Sequence, residues 1–445
     1  MSASHSTFER LPPEILHLIA EDTDSHDDNA LTRHGSTLAL IKTSRRCHDI
    51  GAPILYRTIA IDACKASRSR ILETLVHNRH YASLVRRVAF RHCDFWGMPG
   101  GSDERNVMLV LHGLLRDALA NLTHLQSISS LCGTAESLLV PMAFPHLRSL
   151  ALGEFTRDTQ LFLAKHAPQL RTLAISSAPG FPSSLDLADL RIFKGPAPCL
   201  LAAVVCPAAP RLTHLQLKQH ANEAPASSVF ASLRITMPTL RLLEIWSWGT
   251  SWDMPLMESI ARVAPNLVSL MLCVEAYWAG SGMAETRDRF IATINSALPR
   301  LPRLFHLEFS QPLYASYNDA EDTQAQQYIE QLDCEAAWVR QWGSASPGLG
   351  VCTLPATRWW RLSRELWAPV AITKGYQDLM DHEGLGDLST WTRRRTAAQA
   401  EEVAAAGLHR RAEIRAGASL FARRLSEFLA LKEDIYQEFE VQLNV

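Results

Sequence analysis

Leu240-x-x-Leu243-x-Ile245, preceded by Met237-Pro238-Thr239, is the stretch on which the reading of this chain turns. The pattern returns as Leu147-x-x-Leu150-x-Leu152, Leu170-x-x-Leu173-x-Ile175, Leu212-x-x-Leu215-x-Leu217, Leu267-x-x-Leu270-x-Leu272 and Leu304-x-x-Leu307-x-Phe309. Looser copies read as Val85-x-x-Val88-x-Phe90 and as Leu122-x-x-Leu125 continuing to Ile128. Most copies follow a Pro or an Asn. The interval from Leu173 to Leu215 leaves room for a cryptic copy near Leu190-Arg191-Ile192, and the interval from Leu270 to Leu307 for an insertion. Alternation across Leu243, Glu244 and Ile245 predicts a short strand with one face turned inward. The apolar residues ahead of the prolines fall at helical spacing, as in Leu161, Phe162 and Leu163 or Ile260 and Val263. Proline ends such a helix because it cannot donate the next backbone hydrogen bond and it restricts the residue before it.

One such hexad is common; its recurrence at roughly 20–29 residues is the leucine-rich-repeat signature. The expected fold is therefore an α/β repeat in which each unit packs on its neighbours. The positions where such repeats carry Asn or Cys hold Phe155, His220, Trp248 and Glu275, which predicts an irregular solenoid. Four zones follow: a helical block over 8–61, repeats over 62–355, a Trp-rich segment over 356–396 and an amphipathic tail over 397–445. In the tail Ile414, Ala418, Phe421, Leu425, Phe428, Ile435 and Phe439 recur at mostly three- and four-residue steps. That face packs either on its own chain or on a partner as a coiled coil.

The 445 residues carry 44 basic and 46 acidic side chains, a net charge of −2. Such a balance gives no reason to expect nucleic acid or a membrane surface as partner. No apolar run approaches the ~18 residues of a membrane span, and Met1 to Leu16 does not read as a secretory signal. Nine cysteines with no C-x-x-C pair read as reduced, mostly buried thiols of a cytoplasmic or nuclear protein.

Near the N-terminus, Leu11-Pro12-Pro13-Glu14-Ile15-Leu16 starts a helix whose apolar face carries Ile15, Leu16, Leu18 and Ile19. Proline suits a first turn, where its missing N–H would be unpaired anyway. Asp22 to Ser36, with four aspartates, reads as a solvated loop. Leu38 to Cys47 is a second amphipathic stretch, and Ala52-Pro53-Ile54-Leu55-Tyr56-Arg57 closes the block. So short a block cannot bury all these side chains internally, and an apolar face left exposed marks a partner site.

The order Leu-Pro-x-Glu-Ile-Leu-x-x-Ile, then Leu-x-x-(Ser/Thr)-x-Arg-Arg, then Pro-x-Leu-Tyr-Arg resembles the F-box of fungal F-box proteins. Leucine-rich repeats are the commonest continuation in that family. The resemblance implies a substrate receptor of an SCF ubiquitin ligase, docked on the Skp adaptor and through it on a cullin, with the repeats holding a target protein. Carried over by position, it places Leu11, Pro12, Ile15, Leu16 and Ile19 on the first adaptor-binding helix and Leu40, Ile41, Ser44 and Cys47 on the second. The polar insert is longer than is typical of that family. The competing expectation is a protein-interaction scaffold that takes no part in ubiquitination.

The third, fifth and seventh residues of each copy are read as facing the concave surface. Early copies place small residues there (Ser149, Ala151, Gly153). Later copies carry aromatic and charged side chains of the kind that anchor protein contacts. The target-binding candidates are His214, Gln216, Lys218, Glu244, Trp246, Met271, His306 and Glu308; for Trp246, contact and local packing stay open. His124, His146, His214 and His306 read as exposed polar residues rather than metal ligands. The tryptophans from Trp338 to Trp391 read as a capping core. The chain carries no nucleophile elbow, zincin, phosphate-loop or dinucleotide motif, and His92, Cys93 and Asp94 alternate in direction along a strand. Neither catalytic residues nor metal or cofactor ligands are therefore expected.

Overall fold

Each hexad folds into a turn followed by a strand, in the same register at every step described. The computed structural model describes residues 11–25, 33–62, 68–91, 102–130, 136–154, 156–177, 185–197, 199, 210–219, 226–232, 236–247, 255–274, 291–310, 321–354, 357–361, 367–372 and 422–433. They fall into two compact units, within Met1–Leu190 and Arg191–Ile435.

The first unit opens with helices Pro13–Ser25, Arg33–Ile41 and Arg45–Arg57, which pack pairwise. Five strands follow: β1 (Thr58–Asp62), β2 (Arg87–Arg91), β3 (Ser127–Ser130), β4 (Ser149–Glu154) and β5 (Thr172–Ser177). They pair parallel in chain order. Helices such as Ser102–Ala120 and Arg157–His166 supply the crossovers that parallel neighbours require. Ile59, Val88, Ile128, Leu150 and Leu173 align across the strands and are all buried.

That register corrects one copy and adds another. Ile128, not Leu125, pairs with Leu150. Leu125 closes a turn with its N–H on the Leu122 carbonyl, as Leu147 does on Phe144. The copy is therefore Leu125-x-x-Ile128. Before it, Tyr56-x-x-Ile59-x-Ile61 is a further copy, so strand structure begins directly after Arg57, inside the stretch read as the helical block.

The second unit runs β6 (Ile192–Pro196), β7 (His214–Gln219), β8 (Leu242–Ser247), β9 (Ser269–Val274), β10 (His306–Ser310) and β11 (Val351–Thr353). These six are parallel in chain order. β12 (Thr357–Arg361) and β13 (Trp367–Ile372) continue the sheet antiparallel. The buried ladder is Phe193, Leu215, Leu243, Leu270, Leu307 and Cys352. The cryptic copy is thus Leu190-x-x-Phe193, and another lies at Leu349-x-x-Cys352-x-Leu354. Between strands, the N–H of each leading residue repeats one bond: Thr213 to Arg191 O, Arg241 to Thr213 O, Val268 to Arg241 O and Phe305 to Val268 O, all 2.8–2.9 Å.

Tryptophans finish the sheet. The Trp359 indole N–H donates to the buried Glu335 carboxylate at 3.1 Å, from β12 to helix Glu321–Ala345. Gly343 of that helix leaves room for the Trp367 indole, whose Nε1 lies 2.7 Å from where a Cβ would stand. Arg361 sits 5.8 Å from the Trp367 ring centroid and donates to the carbonyls of Ser346, Pro347 and Leu349. Trp391, most of the tail and residues 8–10 lie outside the described residues. No helix among the described residues is long and apolar enough to cross a membrane.

Candidate interaction faces

The N-terminal helices divide their apolar residues between a small core and a surface. Leu16, Ala20, Cys47, Ala52 and Ile54 are buried. Gly51 meets the Ile41 side chain so closely that no Cβ would fit. The Ser44 hydroxyl accepts the Cys47 N–H at 3.2 Å and caps helix Arg45–Arg57. Leu16 and Cys47 therefore build the block itself, a correction to their reading as adaptor contacts, and Ser44 serves first as a helix cap. Leu11, Ile19, Leu40 and Ile41 are half-buried, and Pro12 is exposed. Ile15 is 41% exposed, and two residues outside the candidate set are as open, Leu18 at 59% and Leu38 at 40%. Ile15 and Leu18 are three apart, one above the other on a helix. That spacing was visible in the sequence; which side of the helix turned outward was not.

In the second unit, strand parity places the predicted residues on one face. Lys194, Gln216, Glu244, Met271 and Glu308 align strand to strand. All five are half-buried, as are Lys218 and Trp246 two residues farther along their strands. The row before them departs from expectation. His214 and His306 are each only 2% exposed, whereas His124 and His146 are exposed in turns, their rings 5.6 Å apart.

Helix 422–433 gives the physical reason at His306. The Phe428 ring packs 4.9 Å from the His306 imidazole and 5.8 Å from the Phe305 ring, with Leu425, Val268 and Trp360 around it. Arg424 donates to the Gly348 carbonyl at 3.0 Å. His306 is further held by Ser269 Oγ at 2.8 Å from Nδ1 and by Glu308 Oε2 at 3.4 Å from Nε2. The His214 Nε2 atom lies 3.7 Å from Glu244 Oε1. Both imidazoles share this face by strand parity but are buried on it, and they are corrected from exposed contact residues.

Burial sets the charge states. It pushes the His214 imidazole down to about 3, with the Lys194 and Lys432 cations adding to the effect. His306 is lowered by burial too, against the pull of Glu308. Burial brings the Lys194 ammonium down to about 8, with Glu244 opposing. It raises the Glu244 carboxyl against the attraction of Lys194 and Lys432. Burial would raise Glu308 as well, but the His306 imidazole, Lys432 and Arg358 outweigh it and hold that carboxyl low. The face is thus two half-buried carboxylates and an aromatic ring among cations, with two buried neutral imidazoles in the adjoining row. Lys194, Arg358 and Lys432 escaped the sequence reading. Lys194 stands in the copy whose inward positions are Phe193 and Gly195, and Lys432 reaches the face from a distant helix.

Among the described residues no group of three His, Cys, Asp or Glu side chains could hold a metal ion. No family model and no curated protein matches this chain.

Proposed function

We propose that this chain is the target-recognition subunit of an SCF-type ubiquitin ligase. In this reading the N-terminal helices act as an F-box that docks on a Skp adaptor, and through it on a cullin. The strands are leucine-rich repeats of an irregular solenoid, and their face in the second unit holds a target protein. The observation that carries the reading is the exposure of Ile15, Leu18 and Leu38 on a helical block whose core is already filled by Leu16, Cys47 and Ile54. Apolar side chains held out from a packed block mark a docking surface. The half-buried carboxylates, lysines and Trp246 supply the mixture of charge and aromatic area that protein contacts use. The work is recruitment: a bound target is held near the conjugating machinery at raised effective concentration. Such a complex acts in the cytoplasm or the nucleus. Affinity purification of the tagged chain from cells co-expressing a Skp adaptor and a cullin tests it. Recovery of both supports the receptor reading; recovery of neither overturns it in favour of a scaffold outside ubiquitination.

A further inference from the structure

Helix 422–433 seats an aromatic ring and a cation on the same strand face to which target binding is assigned. Phe428 is buried against Phe305 and Val351, its ring over His306. One turn later Lys432 lies 5.2 Å from the Phe428 ring centroid, and its charge acts on Glu244 and Glu308 of that face. One turn earlier Arg424 bonds the Gly348 carbonyl, and Leu425 packs beside Phe428. The contacts at 424, 425, 428 and 432 fall on one stripe of a helix. Its other side is polar or open: Arg423, Ser426 and Glu427 are exposed, and so is Leu429. The complementarity is chemical as well as steric, an aromatic seat with two carboxylates nearby whose charge one ammonium offsets.

We propose that this face is a receptor for an amphipathic helix bearing an aromatic anchor and a Lys or Arg four residues later. Residues 422–433 occupy it in cis, and a target helix of the same pattern replaces them. The proposal deepens the target-binding reading above and depends on it only in naming the incoming helix as the target's. Helix-in-groove recognition works in this way, with anchors at three- and four-residue spacing. A tethered occupant competes at the effective concentration its linker sets, so a weak cis helix is enough to discourage weak ligands.

The test uses the full-length chain and a fluorescent peptide of residues 418–435, read by anisotropy. The wild-type chain, its face occupied, should bind the peptide weakly. Phe428→Asp in the chain should vacate the face and tighten peptide binding at least tenfold. A peptide carrying Lys432→Glu should lose at least tenfold against that variant. Glu244→Gln with Glu308→Gln, added to the Phe428→Asp chain, should weaken the native peptide by a similar factor. Should Phe428→Asp not fold, Lys432→Glu in the chain makes the same test through charge, with the same tightening expected. Equal peptide affinity for wild-type and vacated chains, or no loss on removing the two carboxylates, overturns the proposal. Adaptor recovery, scored in parallel, separates the two ideas: adaptor bound without peptide sinks only this inference, and peptide bound without adaptor sinks only the ligase reading.

Discussion

Replacing His214 by Leu should remove a defined part of the protein's sensitivity to acid. The imidazole is 2% exposed, between Ile192 and Leu242 in its row, and faces Lys194, Glu244 and Lys432. Its folded value of about 3 lies below the ordinary 6.5. Between those values the unfolded chain binds a proton that the native chain refuses. Stability is therefore kept above pH 6.5 and lost as pH falls toward 3. Each unit below 6.5 costs about 1.4 kcal/mol, so His214 alone takes away about 2 kcal/mol at pH 5 relative to neutrality. Leucine cannot titrate, and its apolar neighbours suit it. Urea unfolding of both chains at pH 7 and pH 5 measures the difference. The wild type should lose about 2 kcal/mol more than the His214→Leu variant over that interval, with the slope on denaturant unchanged. Equal losses would show that the native chain takes up the proton at His214, and the buried-histidine account of this face would fall.

Other consequences are open to measurement. Leu243→Ala should destabilise by ~2–5 kcal/mol, since that side chain is fully buried in the ladder, while the half-buried Trp246 should cost less on truncation; thermal melts of both variants refute the register if Trp246→Ala melts as early. Gly343→Ala should cost ~1–3 kcal/mol, because the new methyl group meets the Trp367 indole; an unchanged melting temperature would mean that the ring yields freely. Glu335→Ala should cost ~1–3 kcal/mol by leaving the Trp359 N–H without its acceptor, and a smaller effect for Glu335→Gln would tie that loss to the hydrogen bond rather than to packing.

The α/β alternation was legible because leucine, or Ile or Phe in its place, at the inward strand positions is an unambiguous signal once repeated. Where the inward residue changed type, the signal failed. Phe193 and Gly195 hid one copy, Cys352 hid another, and Tyr56 before Ile59 merged a third with the helices ahead of it. The misplaced copy at Leu125 arose because Leu122, Leu125 and Ile128 are equally spaced, and only pairing with Leu150 decides among them. Parity correctly grouped Glu244 with Trp246 and Gln216 with Lys218. Parity tells which way a side chain points, not what packs over it, so the burial of His306 under Phe428 was invisible. The same limit applies at the N-terminus, where periodicity marked the apolar residues of the first helix but could not say that Leu16 turns in while Leu18 turns out.

Calorimetric titration of a purified Skp adaptor into the full-length chain, wild type against Ile15→Asp with Leu18→Asp, bears most directly on the receptor reading. Both side chains are exposed, so the variant should melt with the wild type. An interface anchor worth about 2 kcal/mol is worth about thirtyfold in affinity. Saturable binding by the wild type, weakened at least a hundredfold in the variant, is the expected result. A wild-type chain that does not bind, or a variant that binds undiminished, contradicts the account.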